Sequence, residues 1–342
     1  MRILFYLVLV VLSTKCFAQE TIKVNIDENN NLLLSEISKK SEIVDISFKV
    51  VPGHINRVFK AGNNFVIEEG PEPQFYVYDE EGIFLKQLSL ESFGKDHFGK
   101  DLILRHADIS IDHNNKLIYA SYGEYLLKYD FDGNYVSYSK SAVNSLNIPL
   151  PLKKGMANVV IYPEESYGNT SQFPKVVVTT KTGIESYVDN HITTVSAFNG
   201  LCDLNDYYTL HFCRTDTVYS IDKRNGFTQV KYVFDFGDKS YVPAFVKMTF
   251  NEQSDYIENN PQQAGAIMNY HETAKYIIAD FYHNSQLQTL LYDKKDKTCS
   301  IVNLIDDMYD STSIKIVGGT SKSLIFVLHD KLGNRHLLEL FM

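Results

Sequence analysis

From Val44 onward the chain alternates short apolar runs with turn residues. Asn63-Asn-Phe-Val-Ile67, Gln74-Phe-Tyr-Val-Tyr78, Lys116-Leu-Ile-Tyr-Ala120 and Lys175-Val-Val-Val-Thr179 are examples. Their β-branched and aromatic residues, in runs too short for helices, predict strands. Two segments match almost turn for turn: Phe75-Tyr-Val-Tyr-Asp-Glu-Glu-Gly82 and Leu126-Leu-Lys-Tyr-Asp-Phe-Asp-Gly133, 51 residues apart. Weaker copies follow at Val178–Gly183, Tyr219–Gly226 and Tyr292–Asp296. Glycine closes four of these turns, because tight hairpins need positive φ.

A period of about 40–50 residues with four short strands per repeat marks a propeller blade. The expected architecture is therefore all-β: a six-bladed β-propeller of four-stranded antiparallel blades. The first five blades fall near 54–90, 105–140, 150–190, 193–237 and 240–303. The last has only three C-terminal strands, within Ser313–Val317, Ser323–His329 and Arg335–Phe341. An N-terminal strand must supply its fourth, and Asp45–Val51 is the candidate, since Ile46, Phe48 and Val50 alternate. A short helical insertion is expected near 243–262, opened by a capping box at Thr249-Phe-Asn-Glu252 and stopped before Pro261. The domains read as a leader over 1–18, an N-terminal arm over 19–43 and one propeller over 44–342. Within the arm, Thr21–Asn25 offers an edge strand, and residues 19–38 read as dispensable.

The leader has a basic start at Arg2, an apolar run from Ile3 to Leu12 and Cys16-Phe-Ala18 ahead of Gln19. This is the pattern of a secretory signal peptide, and the run is too short to span a membrane. Lys15 precedes Cys16 where a lipidated cysteine needs a small residue, so a lipoprotein is not expected. The protein should be exported, to the periplasm or beyond the cell, with no transmembrane segment.

Charge narrows the partners. The formal net charge is −9, without a basic cluster, which argues against nucleic acid. The 23 tyrosines and 21 phenylalanines accompany no tryptophan. A Trp-based sugar platform is thereby disfavoured, although tyrosine can substitute in part. The same absence weakens a sialidase reading, whose Asp-box turns end in Trp. After the leader, Cys202, Cys213 and Cys299 remain. If Leu204 pairs with Tyr207 across a hairpin, Cys202 faces Thr209, four residues short of Cys213. At ~3.4 Å per residue that offset of about 13 Å exceeds the ~7 Å reach of a disulfide.

These blades resemble the six-bladed β-propeller family of exported Bacteroidetes proteins, similar in architecture to NHL-repeat propellers. Asp216-Thr-Val-Tyr219 with Tyr232-Val-Phe-Asp-Phe-Gly237 carries the resemblance best, and Phe75–Gly82 and Leu291-Tyr-Asp-Lys-Lys295 also fit. Family members carry a Gly-Pro link between the first two blades. Here Phe93-Gly-Lys-Asp-His-Phe-Gly99 has no proline, so no role is carried over from that loop. The resemblance implies fold and export and assigns no activity.

Motif chemistry is sparse. His271-Glu272 begins like a zinc-protease helix, but Lys275 stands where the second histidine belongs. Asp130-Phe-Asp-Gly-Asn134 spaces its acids as calcium loops do, yet its glycine falls fourth rather than sixth, and the segment reads as a hairpin turn. Gly-x-Ser-x-Gly elbows and phosphate-cradling loops are absent. The remaining candidate site is the channel mouth where b–c and d–a loops converge. Glu69 and Glu72 approach it from blade 1. Tyr122 and Glu124, with Arg105 and His106 leading into the inner strand, approach from blade 2. The expected function is a monomeric, non-enzymatic binding or scaffolding propeller taking a protein, small-molecule or glycan ligand, without a cofactor. The alternative is a gluconolactonase-like hydrolase or lyase holding a divalent cation such as calcium at that mouth. It needs several convergent carboxylate, Asn or His ligands.

Overall fold

The computed structural model describes residues 19–27, 29–46, 54–70, 74–89, 108–122, 125–140, 146–161, 176–180, 185–188 and 200–342. The repeat pattern becomes six blades set around a channel, of which blades 1 and 6 join through Gly318 and Val58 into one eight-stranded sheet. Each blade runs antiparallel from an inner strand a to an outer strand d. The inner strands are Ile55–Ala61, Asp108–Asp112, Leu146–Pro151, Gly200–Asp203, Ala264–Glu272 and Ser313–Gly319. They are neighbours around the ring, so their ends define two mouths. The a–b and c–d turns surround one mouth, and the b–c and d–a links surround the other.

Strand alternation sends apolar side chains to both faces of each sheet, because both faces meet a neighbouring blade. In blade 1, Val66 and Val77 pack toward blade 2 with Ile118 and Leu127. Phe65, Ile67, Tyr76 and Tyr78 pack the other way, with Ile325 and Val327 of blade 6. The matched segments of blades 1 and 2 form the same turn. Asp79 Oδ1 accepts from the amides of Glu81 and Ile83, and Asp130 Oδ1 from those of Asp132 and Asn134. Asp130 thus serves the turn's own backbone.

The ring closes at blade 6, whose three C-terminal strands gain a fourth from the N-terminus. That strand is Lys40–Asp45, antiparallel to Arg335–Phe341, rather than the expected Asp45–Val51. Residues 47–53, including Phe48 and Val50, lie outside the described residues. The physical reason is position. An outermost strand has little core to face, and in Lys40–Asp45 only Val44 is buried. An apolar alternation was therefore the wrong guide. The strand also crosses the boundary expected between arm and propeller. Two close approaches fix the join. Gly318 pairs with Val58, and a Cβ on it would sit 2.0 Å from the Val58 carbonyl oxygen. Gly82, at φ +81°, brings the blade 1 turn against Asp45, whose oxygen would lie 2.2 Å from a Cβ there.

The rest of the arm sheathes blades 4 and 5. The edge strand expected over Thr21–Asn25 forms over Glu20–Lys23, as a parallel fifth strand of blade 4, and Asn29–Leu33 adds another to blade 5. Ile22, Leu34 and Ile37 are buried at 1%, 0% and 3% exposure, so the arm supplies core side chains, against the expectation that residues 19–38 are dispensable. At about 1.5–3 kcal/mol for each fully buried side chain, losing them removes a large share of ordinary domain stability.

The insertion between blades 4 and 5 carries the expected helix, Phe250–Asn259. Glu252 N donates to Thr249 Oγ1 at 3.3 Å and Thr249 N to Glu252 Oε2 at 2.7 Å, completing the capping box. The blade 4 hairpin has the expected register, with Leu204 N donating to Tyr207 O and Cys202 opposite Thr209. Cys202 and Cys213 are both free thiols.

Candidate functional site

At the b–c mouth the structure places two of the six expected site residues. Glu69 ends strand b of blade 1 and Tyr122 ends strand b of blade 2. Glu72, Arg105, His106 and Glu124 lie outside the described residues. Glu69 and Tyr122 do not meet, because they face opposite sides of blade 1. Tyr122 packs on the core between blades 1 and 2. Glu69 turns toward Tyr76 and Tyr78 on the blade 6 side. Its Oε1 is buried and has no hydrogen-bond partner among the described residues. Burial pushes its carboxyl up to about 7, and the positive charge of Arg335 offsets this only in part.

The acids that do meet at this end are their neighbours. Arg57 Nε donates to Glu68, and Arg57 Nη2 lies 3.8 Å from Asp108 Oδ1. Strand alternation explains the difference: Glu68 faces blade 2 and Glu69 faces away from it. Desolvation holds Asp108 above the usual carboxylate range despite Arg57. These charges are spent on one another across the joint between blades.

The opposite mouth holds a cavity of about 370 Å³, bounded by inner-strand ends and a–b turns of blades 1, 2, 3, 4 and 6. Three lysines reach it, each tied to a carboxylate. Lys223, from the c–d turn of blade 4, pairs with Asp203 and lies 4.5 Å over the Tyr208 ring. Lys153 Nζ donates to Asp206 Oδ1 at 2.8 Å. Lys60 Nζ donates to Glu339 Oε2 at 3.1 Å and sits 3.8 Å from the centre of the Phe65 ring. Backbone bonds from Lys153 N to Lys223 O and from Lys223 N to Asp206 O join the turns of blades 3 and 4. Tyr208 Oη donates to Pro151 O at 2.5 Å. Ser110 also lines this wall; it is 4% exposed, and its Oγ has no partner among the described residues. A smaller cavity of about 60 Å³ lies farther along the channel and shares Phe59, Ile109, Leu201 and Gly319 with the first.

The His271-Glu272 pair resolves into structure at the same end. Glu272 Oε1 accepts from Lys294 Nζ at 2.7 Å and Lys231 Nζ at 3.1 Å, and Oε2 accepts from Tyr270 Oη at 2.6 Å. Lys231 is the extra residue of a β-bulge: Val218 pairs with Tyr232 and Tyr219 with Val230. The bulge turns a lysine inward from an outer strand. Two ammonium groups hold the Glu272 carboxyl below its usual range against the pull of burial. Burial depresses His271 to about 4, and Lys315 adds to the effect. Among the described residues, no three His, Cys, Asp or Glu side chains converge to hold a metal ion.

None of the lysines at the cavity was legible as a site residue. The sequence shows where the a–b turns lie, but which mouth opens depends on side-chain packing between blades distant in sequence.

No described helix is long and apolar enough to cross a membrane. No curated protein matches the chain by sequence. A crystal structure of a Bacteroides fragilis protein assigned as exported superposes with a TM-score of 0.64 at 14% identity, covering 94% of this chain and 99% of that one. A member of the DUF4221 family from Bacteroides vulgatus gives a TM-score of 0.47 at 7% identity, covering 89% and 97%. Virginiamycin B lyase from Staphylococcus aureus gives 0.44 at 8% identity, covering 89% and 99%. At such identities the likeness concerns the fold alone. The family described as "6-bladed beta-propeller", DUF5128, matches residues 18–326, and with six blades set around a channel the chain belongs to that family.

Proposed function

We propose that this protein is an exported, monomeric, non-enzymatic binding propeller that takes a small ligand at the a–b mouth of its channel. The observation that carries the reading is the cavity of about 370 Å³, whose wall combines apolar side chains with Lys60, Lys153, Lys223 and Asp203. Ligand sites occupy roughly 300–1,000 Å³ and combine apolar lining with a few fixed polar groups. Here the polar groups are held by ion pairs and turn hydrogen bonds, so little order is lost on binding. The leader pattern of residues 1–18 supports export.

A thermal-shift screen of polar small molecules tests the site, using native protein and a Ser321→Trp variant. Ser321 is a half-buried turn residue on the cavity rim, where an indole fills the opening. Hits should stabilise native protein and lose their effect in the variant. Hits that protect both equally would place binding elsewhere. Mass spectrometry of protein from its native host should find Gln19 at the N-terminus; retained Met1 would refute export.

A further inference from the structure

We infer, on the footing of that binding reading, that the ligand is an uncharged, hydroxyl-rich molecule of sugar type, about one or two rings in size. The argument begins with charge. Lys223, Lys153 and Lys60 each have a carboxylate partner, in Asp203, Asp206 and Glu339. The wall therefore presents no unneutralised lysine to an anion, which would also approach Asp203 and Asp112. A cation would meet the three ammonium groups instead. Paired groups still offer hydrogen bonds. An ammonium has three donors and a carboxylate about four acceptor positions, so the Lys223–Asp203 pair, whose two members both line the wall, keeps both kinds in reserve.

Adjacent hydroxyls on a neutral molecule match that arrangement. One accepts from lysine while the next donates to the carboxylate, and both bonds are charge-assisted. The pairs are also oriented. Lys223 lies over the Tyr208 ring, and Lys60 over the Phe65 ring. Phe59, Ile109, Leu201 and Leu204 supply apolar surface for ring C–H groups. This platform needs no tryptophan. The volume lies near the small end of the range of about 300–1,000 Å³ for ligand sites, which sets the size.

The experiment is an oligosaccharide array carrying neutral, uronate-bearing and sulfated members, followed by calorimetry on the strongest hit. Neutral members should bind, and Kd should change less than about twofold between low and high salt, since screening acts on net charge. Asp203→Asn and Lys223→Met should each weaken binding at least about tenfold, and Ser321→Trp should abolish it with an unchanged melting temperature. Preference for acidic members, with Kd rising in salt and Asp203→Asn binding more tightly, would overturn the neutral-sugar inference. The cavity itself would survive if Ser321→Trp still abolished that binding. Neutral members bound equally by native protein and Ser321→Trp would overturn both the inference and the site. An array with no bound member would refute the sugar class, leaving the cavity to the small-molecule screen.

Discussion

The two mouths of the channel are both charged, yet they spend their charge differently. At the b–c mouth Arg57, Glu68 and Asp108 close on one another between blades 1 and 2, and Glu69 is folded away against tyrosines. At the a–b mouth Lys60, Lys153, Lys223 and Asp203 line a cavity rather than closing a joint. Charged residues near a propeller mouth are therefore a poor guide to a site by themselves. The useful distinction is whether a pair is consumed by the joint between blades or held open beside one. Glu272 shows the first use at the second mouth: its carboxylate pins blade 4 to blade 5 through Lys231, with Lys294 of its own blade beside it.

The largest effect should come from breaking that pin. Glu272→Ala leaves two nearly buried lysines without their counter-charge, a change that costs about 3–5 kcal/mol. Urea unfolding measures it, and a loss below about 1 kcal/mol would show that the network is not what joins these blades.

Next is Glu69, whose carboxyl is raised from 4.5 to about 7 in the fold. A raised acid favours the protonated folded state. Its contribution is fully present below the unfolded value and is lost as pH rises through the folded one. Stability should therefore fall between pH 4.5 and pH 7, by at most about 3 kcal/mol from this group. Glu69→Gln cannot ionise and should flatten that part of the profile, leaving the variant more stable than native protein at pH 8. Parallel profiles for the two proteins would mean that the Glu69 carboxyl is solvated after all.

The smallest effect should follow Lys153→Ala. The Lys153–Asp206 pair is 51% and 70% exposed at its two side chains, so its loss should cost no more than about 1 kcal/mol. A chemical-unfolding midpoint close to native, together with weakened binding of a cavity ligand, would separate holding the fold from holding the ligand. A large loss of stability would instead make the a–b mouth as structural as the other one.

Much of this was legible locally. The turn at Asp79–Ile83 and its copy at Asp130–Asn134 repeat because Asp and Gly meet the same backbone demand in both. The capping box at Thr249 and the hairpin at Leu204–Tyr207 were legible for the same reason, since each is settled within a few residues. The closing strand was misplaced because an outermost strand has little core to announce it. Glu69 could be placed at a mouth, but not on a face.

The sequence by itself determined the blades, their number and the need for a strand borrowed from the N-terminus. Period, turn chemistry and apolar alternation act over neighbouring residues, and the backbone must satisfy them wherever the segment ends up. The tertiary structure decided which segment closes the ring, how the arm sheathes blades 4 and 5, and which mouth holds a cavity. Those outcomes depend on contacts such as Lys60 with Glu339 and Gly318 with Val58, which join residues more than two hundred positions apart. No local pattern encodes such a pair, because its energy exists only once the ring has closed.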